Sequence, residues 1–265
     1  MPHDLLAIAR DVAIRAGELA ALRRLHVVEV AATKSSPVDV VTQADRDAEA
    51  LIRAALADAR PNDGFLGEES GAETGTSGLN WVVDPIDGTV NYLYGIPHYA
   101  VSIAVVEGEP DPLTWDALAG CVFNPASGEL FTAEKGGGAF LGGASIAVAE
   151  GVELSQALVA TGFGYDSDVR ARQGKLIAGL LPLVRDIRRQ GTASLDLCFV
   201  ATGRLNAYFE TSLAPWDHAA GSLIAREAGA RVSGLNETAP SREFTLAGHP
   251  DVAAQLETTL RELLT

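Results

Sequence analysis

Trp81-Val82-Val83-Asp84-Pro85-Ile86-Asp87-Gly88-Thr89 is the stretch on which the reading of this chain turns. Its apolar start predicts a buried strand running directly into an acid. Pro85 has no N–H to give a β-ladder and Gly88 permits a tight backbone path, so the strand stops here and the two carboxylates converge at its end. Two acids three residues apart, with a carbonyl between them, form the kind of oxygen-rich centre that hard divalent cations favour. Standing alone, D-x-x-D-G is also an ordinary turn.

Working outward, the residues after this stretch read as short strands divided by Gly and Pro clusters. They are Ala100 to Val106, Ala119 to Phe123, Glu129 to Ala133 and Ala139 to Leu141, at the spacing of an antiparallel or mixed sheet. The glycines at 136–138 and 142–143 are turns, since no Gly-Lys-Ser/Thr ending makes them a phosphate loop. Upstream, Leu5, Ile8, Val12, Leu19 and Leu22 recur at helical spacing between charged residues. A second helix is expected from Ala44 to Ala59, capped at Thr42 and preceded by a loop from Lys34, and Gly71 to Asn80 reads as a further loop. Past about residue 150 the pattern alternates. Strands at 157–161, 186–189 and 206–210 and near Arg231 and Thr245 are interleaved with helices at 168–184, 192–202, 216–228 and 251–264. Alternation of that kind marks an α/β half with crossover helices. No charged or Pro/Ser-rich linker divides the halves, about 1–150 and 151–265, so the chain reads as one composite α/β (α+β) unit of two packed sheets.

Composition narrows the function. The 265 residues carry 35 acidic and 20 basic side chains, a net charge of −15, with 47% hydrophobic and 21% charged residues. That is globular rather than disordered, and its charge argues against a nucleic-acid or anionic-membrane binder. There is no apolar run long enough for a membrane span and no signal-peptide core, which makes the cytoplasm the expected location. Cys121 and Cys198 lie in apolar runs 77 positions apart and read as buried free thiols. The five histidines have no metal-ligand spacing, and G-x-S-x-G, H-E-x-x-H and Walker A patterns are absent.

Three further acidic segments accompany the first. Gly67-Glu68-Glu69-Ser70 is a turn, Asp45 opens the second helix, and Trp216-Asp217-His218-Ala219-Ala220-Gly221 opens another, where Asp217 also suits the helix dipole. Each has a bland explanation singly; all four in this order are hard to produce by accident.

Together these segments resemble the inositol monophosphatase family of Mg²⁺-dependent, Li⁺-sensitive phosphatases. The matching stretches are KSSPVDVVTQAD (34–45), GEES (67–70), WVVDPIDGTVNYLYGIPHYAVSIA (81–104), GTASLDLCFVATGRLNAYFE (191–210) and APWDHAAGSLIAREAGARV (214–232). The resemblance implies a layered α-β-α-β-α sandwich and a single catalytic domain over 1–265, most ligands lying in its first half. Glu68, Asp84 and the Ile86 carbonyl would bind a first Mg²⁺, and Asp84, Asp87 and Asp217 a second. A weaker third ion would sit near Glu68. Gly88 and Thr89 would offer N–H groups to the phosphate. Thr89 and Asp45 would orient the attacking water, assisted by Glu68. Lys34 would lie on a catalytic loop. Asp87, Glu210, Asp217 and the Gly191-Thr192-Ala193 turn would meet substrate. The implied reaction is hydrolysis of myo-inositol monophosphates by metal-activated water in a homodimer. Histidinol phosphate, fructose 1,6-bisphosphate or a 3′-phosphoadenosine nucleotide are alternative substrates for the same centre. A non-catalytic interaction protein on this scaffold is the alternative of another class.

Overall fold

A computed structural model describes residues 2–25, 28, 30–33 and 40–264, the side chains of residues 2 and 3 excepted. Lys34, placed on the expected catalytic loop, lies outside the described residues.

The chain opens with helix α1 (Pro2–Arg23), a hairpin of β1 (Val30–Thr33) and β2 (Val40–Thr42), and helix α2 (Gln43–Ala59). Eight strands then form the larger sheet: β3 (Gly64–Gly67), β4 (Gly71–Glu73), β5 (Leu79–Asp87), β6 (Ala100–Glu107), β7 (Asp116–Asn124), β8 (Glu129–Glu134), β9 (Gly138–Leu141) and β10 (Ala144–Ile146). Their order is β10-β9-β8-β7-β6-β5-β3-β4, antiparallel except for the β3/β5 pair. A short helix, α3 (Thr89–Leu93), follows β5 directly.

The second half is β11 (Leu158–Thr161), α4 (Ser167–Leu180), β12 (Asp186–Arg188), α5 (Ala193–Ala201), β13 (Ala207–Glu210), α6 (Pro215–Glu227), β14 (Arg231–Ser233), β15 (Thr245–Gly248) and α7 (Pro250–Leu263). Its five-stranded sheet runs β12-β11-β13-β15-β14, with β11 parallel to both neighbours.

The layers follow from the buried faces. Helices α1 and α2 cover one face of the larger sheet, through Leu5, Val12 and Ile52 against Trp81, Val83, Ile103 and Cys121. On the other face, α5 and α6 bring Leu195, Cys198, Ala220 and Leu223 against Val82, Ala104, Val122 and Phe131. The same two helices turn Leu197, Val200 and Ala225 to the smaller sheet, at Ala160, Tyr208 and Ala247. Outermost, α4 and α7 cover its far side with Leu180, Val252 and Leu256. The result is the α-β-α-β-α sandwich. Having both long faces buried, α5 has buried residues all round, as a central helix must.

The structure corrects some sequence expectations. In α1 the leucine stripe is only part of the packed face. Leu22 is 60% exposed, whereas Ala9, Ala13, Ala16 and Ala20 are buried, because alanines let the helix lie close to the sheet. Helix α4 stops at Leu180 rather than near 184, and Leu181–Leu183 form a tight 3-10 turn around Pro182, whose missing N–H cannot continue the α-helix. The expected loop at 71–80 holds β4 at one end and the start of β5 at the other, and the end of the segment read as a loop from Lys34 is strand β2, paired antiparallel with β1. Both cysteines are buried and free. Among the described residues, no helix is long and apolar enough to cross a membrane.

Candidate active site

Strand β5 delivers the decisive residues through a fault in its ladder. Asp84 pairs with Ser102 and Asp87 with Ala100, so a three-residue step faces a two-residue step on β6. The extra residue is a bulge beside Pro85, which cannot donate to the ladder. It leaves Asp84, Ile86 and Asp87 buried at the strand end. Asp84 Oδ1 accepts from Ile86 N at 3.0 Å, an Asx turn that fixes the carboxylate. Gly88 then turns with φ +91°. A Cβ there would lie 2.4 Å from Thr192 Oγ1 and 3.1 Å from the His98 carbonyl, so no other residue fits without displacement.

Helix α2 supplies Asp45. Thr42 caps the helix, its N–H donating to Asp45 Oδ2 at 2.8 Å while its hydroxyl bonds the same oxygen. The free side of that carboxylate faces α3, where Thr89 Oγ1 lies 3.2 Å from Asp45 Oδ1 and 3.1 Å from the Ile86 carbonyl. One hydroxyl proton serves either acceptor, not both at once. The acidic turn after β3 is placed by a residue the sequence reading missed. Glu49, buried on α2 one turn after Asp45, accepts from Glu69 N at 2.9 Å. Its spacing of four from Asp45, on one helix face, was the available signal.

The second half closes the site. Asp217 stands in the first turn of α6 and accepts from Ala214 N at 2.6 Å. The Gly191-Thr192-Ala193 turn is tied to the first half by Asn91, whose Nδ2 donates to the Gln190 and His98 carbonyls, both at 2.8 Å. Thr192 Oγ1 donates to His98 O at 3.0 Å. Glu210, at the end of β13, accepts from Tyr208 OH at 2.6 Å. Its carboxylate packs so closely over Gly162 that a Cβ there would sit 1.9 Å from it.

The electrostatics are those of crowded anions. Burial first, and then the charges of Glu68, Asp87 and Asp217, holds the Asp84 carboxyl well above the usual carboxylate range. Asp217 is raised by burial and by Asp87 and Glu68. Asp87 is pushed up to about 7 by burial, against the lowering effect of hydrogen bonds from Ser194. Four acids, Asp84 and Asp87 on β5, Glu68 after β3 and Asp217 on α6, therefore share one patch, and their like charges raise the Asp84 and Asp217 carboxyls. Such a donor set fits hard divalent cations, which neutralise the patch and reverse its local logic. Among the described residues no three His, Cys, Asp or Glu side chains close into a ready-made cage. Mg²⁺ does not need such a cage, since it keeps several waters and takes one or two carboxylates at a time. Beside Asp217, burial pushes His218 down to about 4, and its ring packs 6.0 Å from Trp115.

A pH dependence of stability follows. Burial raises Asp45 and Glu210 to about 7, from 3.8 and 4.5. Across that range the folded chain binds protons that the unfolded chain has released, so stability falls as pH rises through 7. His98 and His218, both lowered, act oppositely only up to about 6.5. In chelator, thermal unfolding is expected at a lower temperature at pH 8 than at pH 7, with a loss of about 0.3–0.4 kcal/mol for each of these acids, which are already half-ionised at pH 7. Millimolar Mg²⁺ should flatten the slope; a midpoint that rises from pH 7 to 8 in chelator contradicts this account.

Known proteins resemble this chain over most of its length. The sequence model of the inositol monophosphatase family matches residues 1–265. Inositol-1-monophosphatase SuhB of Mycobacterium tuberculosis is 45% identical over 249 residues, covering 87% of this chain and 84% of that protein. The Nus factor SuhB of Xylella fastidiosa is 42% identical over 246 residues, covering 89% and 85%. Among solved structures, the extragenic suppressor protein suhB of Bartonella henselae superposes with a TM-score of 0.88 at 35% identity, covering 98% of this chain and 99% of that one.

Proposed function

The chain belongs to the inositol monophosphatase family and is a phosphatase, and from that premise we propose that it hydrolyses myo-inositol monophosphates with Mg²⁺ as its cation. The observation that carries this reading is the meeting of buried Asp84 and Asp87 with half-buried Asp217 and Glu68 in one patch, together with the Thr89–Asp45 pair. Two or three Mg²⁺ ions, when bound, supply charge neutralisation for the phosphate and for the entering and leaving oxygens.

The residues have distinct roles in this reading. Glu68, Asp84 and the Ile86 carbonyl hold one ion, Asp84, Asp87 and Asp217 a second, and Glu68 a weaker third. The first-turn amides around Gly88 and Thr89 have no intrahelical acceptor and receive phosphate oxygens. Thr89 and Asp45 hold the attacking water: when the hydroxyl proton points to Asp45, the Thr89 oxygen presents its lone pairs to the water, and Glu68 assists. Glu210 and Asp87, with the Gly191-Thr192-Ala193 turn, accept and donate hydrogen bonds to the polyol. Asp217 flanks the leaving oxygen. Glu210 seven residues before Asp217, in the second-half pattern of the family's inositol branch, supports an inositol phosphate over histidinol phosphate, fructose 1,6-bisphosphate or 3′-phosphoadenosine nucleotides. A homodimer in the cytoplasm completes the reading.

A second role alongside hydrolysis has behind it the Xylella relative's name, Nus factor SuhB. It is compatible with an intact centre, since fold alone does not fix function.

The test is phosphate release from a panel of inositol, fructose, histidinol and nucleotide phosphates, with Mg²⁺, with chelator, and with Mg²⁺ plus Li⁺. Turnover of inositol 1-phosphate that needs Mg²⁺ and is suppressed by Li⁺ is the expected result. Preference for another panel member keeps the centre and overturns the substrate. No release from any of them overturns the reading as a whole.

A further inference from the structure

The residue that sets Asp87 in place comes from the opposite half of the molecule. Ser194, fully buried in the first turn of α5, donates twice to a single oxygen: its N–H lies 2.7 Å and its hydroxyl 2.6 Å from Asp87 Oδ2. Asp87 ends β5 in the larger sheet, 107 positions earlier in the chain. The backbone amide alone would tie the two halves together, and any residue supplies it. The hydroxyl is the side chain's own contribution. Left without a partner in that buried place, it would cost free energy.

Two donors on Oδ2 occupy the lone pairs of that oxygen, with the Ala193 N–H as a weaker third donor to the carboxylate, and leave Oδ1 the better placed to meet a cation. The carboxylate can then neither rotate freely nor present both oxygens. The geometry points to Ser194 as a positioning residue that presents Asp87 Oδ1 to a divalent cation, a role that rests on the reading of Asp87 as a metal ligand given above. Partners of this kind orient ligating carboxylates in metal sites generally, and losing one typically costs 10–100-fold in metal affinity. Neither the apolar pattern nor the acidic motifs single Ser194 out, because its function lies wholly in a contact across the two sheets.

The experiment is a MgCl₂ titration of thermal unfolding in the absence of substrate, using the full chain and the variants Ser194→Ala, Ser194→Thr and Asp87→Asn. Ser194→Ala keeps the amide and the volume of the site, and is expected to raise the half-stabilising MgCl₂ concentration about tenfold, the scale of one hydrogen bond to a charged group. Ser194→Thr, which keeps the hydroxyl, is expected to restore the parent midpoint. Asp87→Asn should abolish the high-affinity response. A Ser194→Ala midpoint equal to the parent's, with the response lost in Asp87→Asn, overturns the positioning role and leaves the metal centre standing. A lower unfolding temperature in chelator with an unchanged MgCl₂ midpoint overturns it too, by reducing Ser194 to a structural tie. If Asp87→Asn itself keeps the parent midpoint, the metal-ligand reading of Asp87 falls and the Ser194 role with it.

Discussion

Asp84→Asn is expected to lower turnover about 10³-fold while making the metal-free protein more stable at pH 8 than the parent. Both halves of this expectation come from one side chain. In the proposed centre Asp84 is shared between two cations, so losing its charge weakens both at once. Cation stabilisation of a phosphoryl transition state is worth several kcal/mol, and each 1.36 kcal/mol is a factor of ten in rate. Without cations the same carboxylate is a liability. It is 2% exposed and faces the charges of Glu68, Asp87 and Asp217. Asparagine keeps the oxygen that accepts from Ile86 N, fills the same volume and removes the charge. The gain should be about 1–2 kcal/mol, in the range of a typical stabilising substitution at a strained functional site. It should shrink towards acidic pH, where Asp84 in the parent is already protonated. Phosphate release and thermal unfolding in chelator at pH 6 and 8 measure the two effects. Turnover within tenfold of the parent, or a lower unfolding temperature at pH 8, contradicts the argument.

The acids proposed for the centre stand out in the sequence more than the residues that support them. Asp84, Asp87, Glu68 and Asp217 sit in short motifs flanked by residues with strong local meaning: Pro85, Gly88, and the first turn of α6. Thr42 and Asp45 form a capping box, which is local by construction. The residues holding these acids in place are different in kind. Glu49 reaches the Glu69 amide across 20 positions, Asn91 reaches the Gln190 carbonyl across 99, and Ser194 reaches Asp87 across 107. None of these contacts leaves a periodic trace.

The fold divides in the same way. Strands β6, β8 and β9 are apolar runs between Gly and Pro punctuation and were legible to within a residue of their observed limits. Strand β7, by contrast, starts three residues before its apolar run, and β5 does not stop at Pro85 but passes it by a bulge and pairs again at Asp87. Strand β3, four residues with glycine at both ends, has no such run, and its placement comes from parallel pairing with β5. The packed face of α1 was misread for a related reason. Hydrophobic periodicity gives weight to leucine, but what the sheet surface admits there is alanine, and close approach rather than side-chain size decides the contact.

Thr89→Ala is expected to lower kcat by about 10²–10⁴-fold, the usual reach of a positioned proton-transfer group, with little change in KM or in the Mg²⁺ midpoint. Thr89 contributes one hydroxyl, 3.2 Å from Asp45 Oδ1, and the cation ligands of the proposed centre are other residues. Asp45 is suited to draw that proton. Burial raises its carboxyl to about 7, while the two Thr42 hydrogen bonds pull it back down, so at neutral pH a substantial fraction is ionised and accepts strongly. Asp45→Asn removes the charge and forces an amide into a place built for an acceptor. It should therefore cost a comparable factor in turnover. If the pair acts as one unit, Thr89→Ala combined with Asp45→Asn should cost no more than about tenfold beyond the worse single variant, as found for residues that share one catalytic task. Thr89→Ser, which keeps the hydroxyl, should recover most of the loss. Full additivity of the two substitutions would separate Asp45 from Thr89 and reduce it to the cap of α2. A parallel rise in KM and in the Mg²⁺ midpoint for Thr89→Ala would instead move Thr89 from orienting water to binding phosphate.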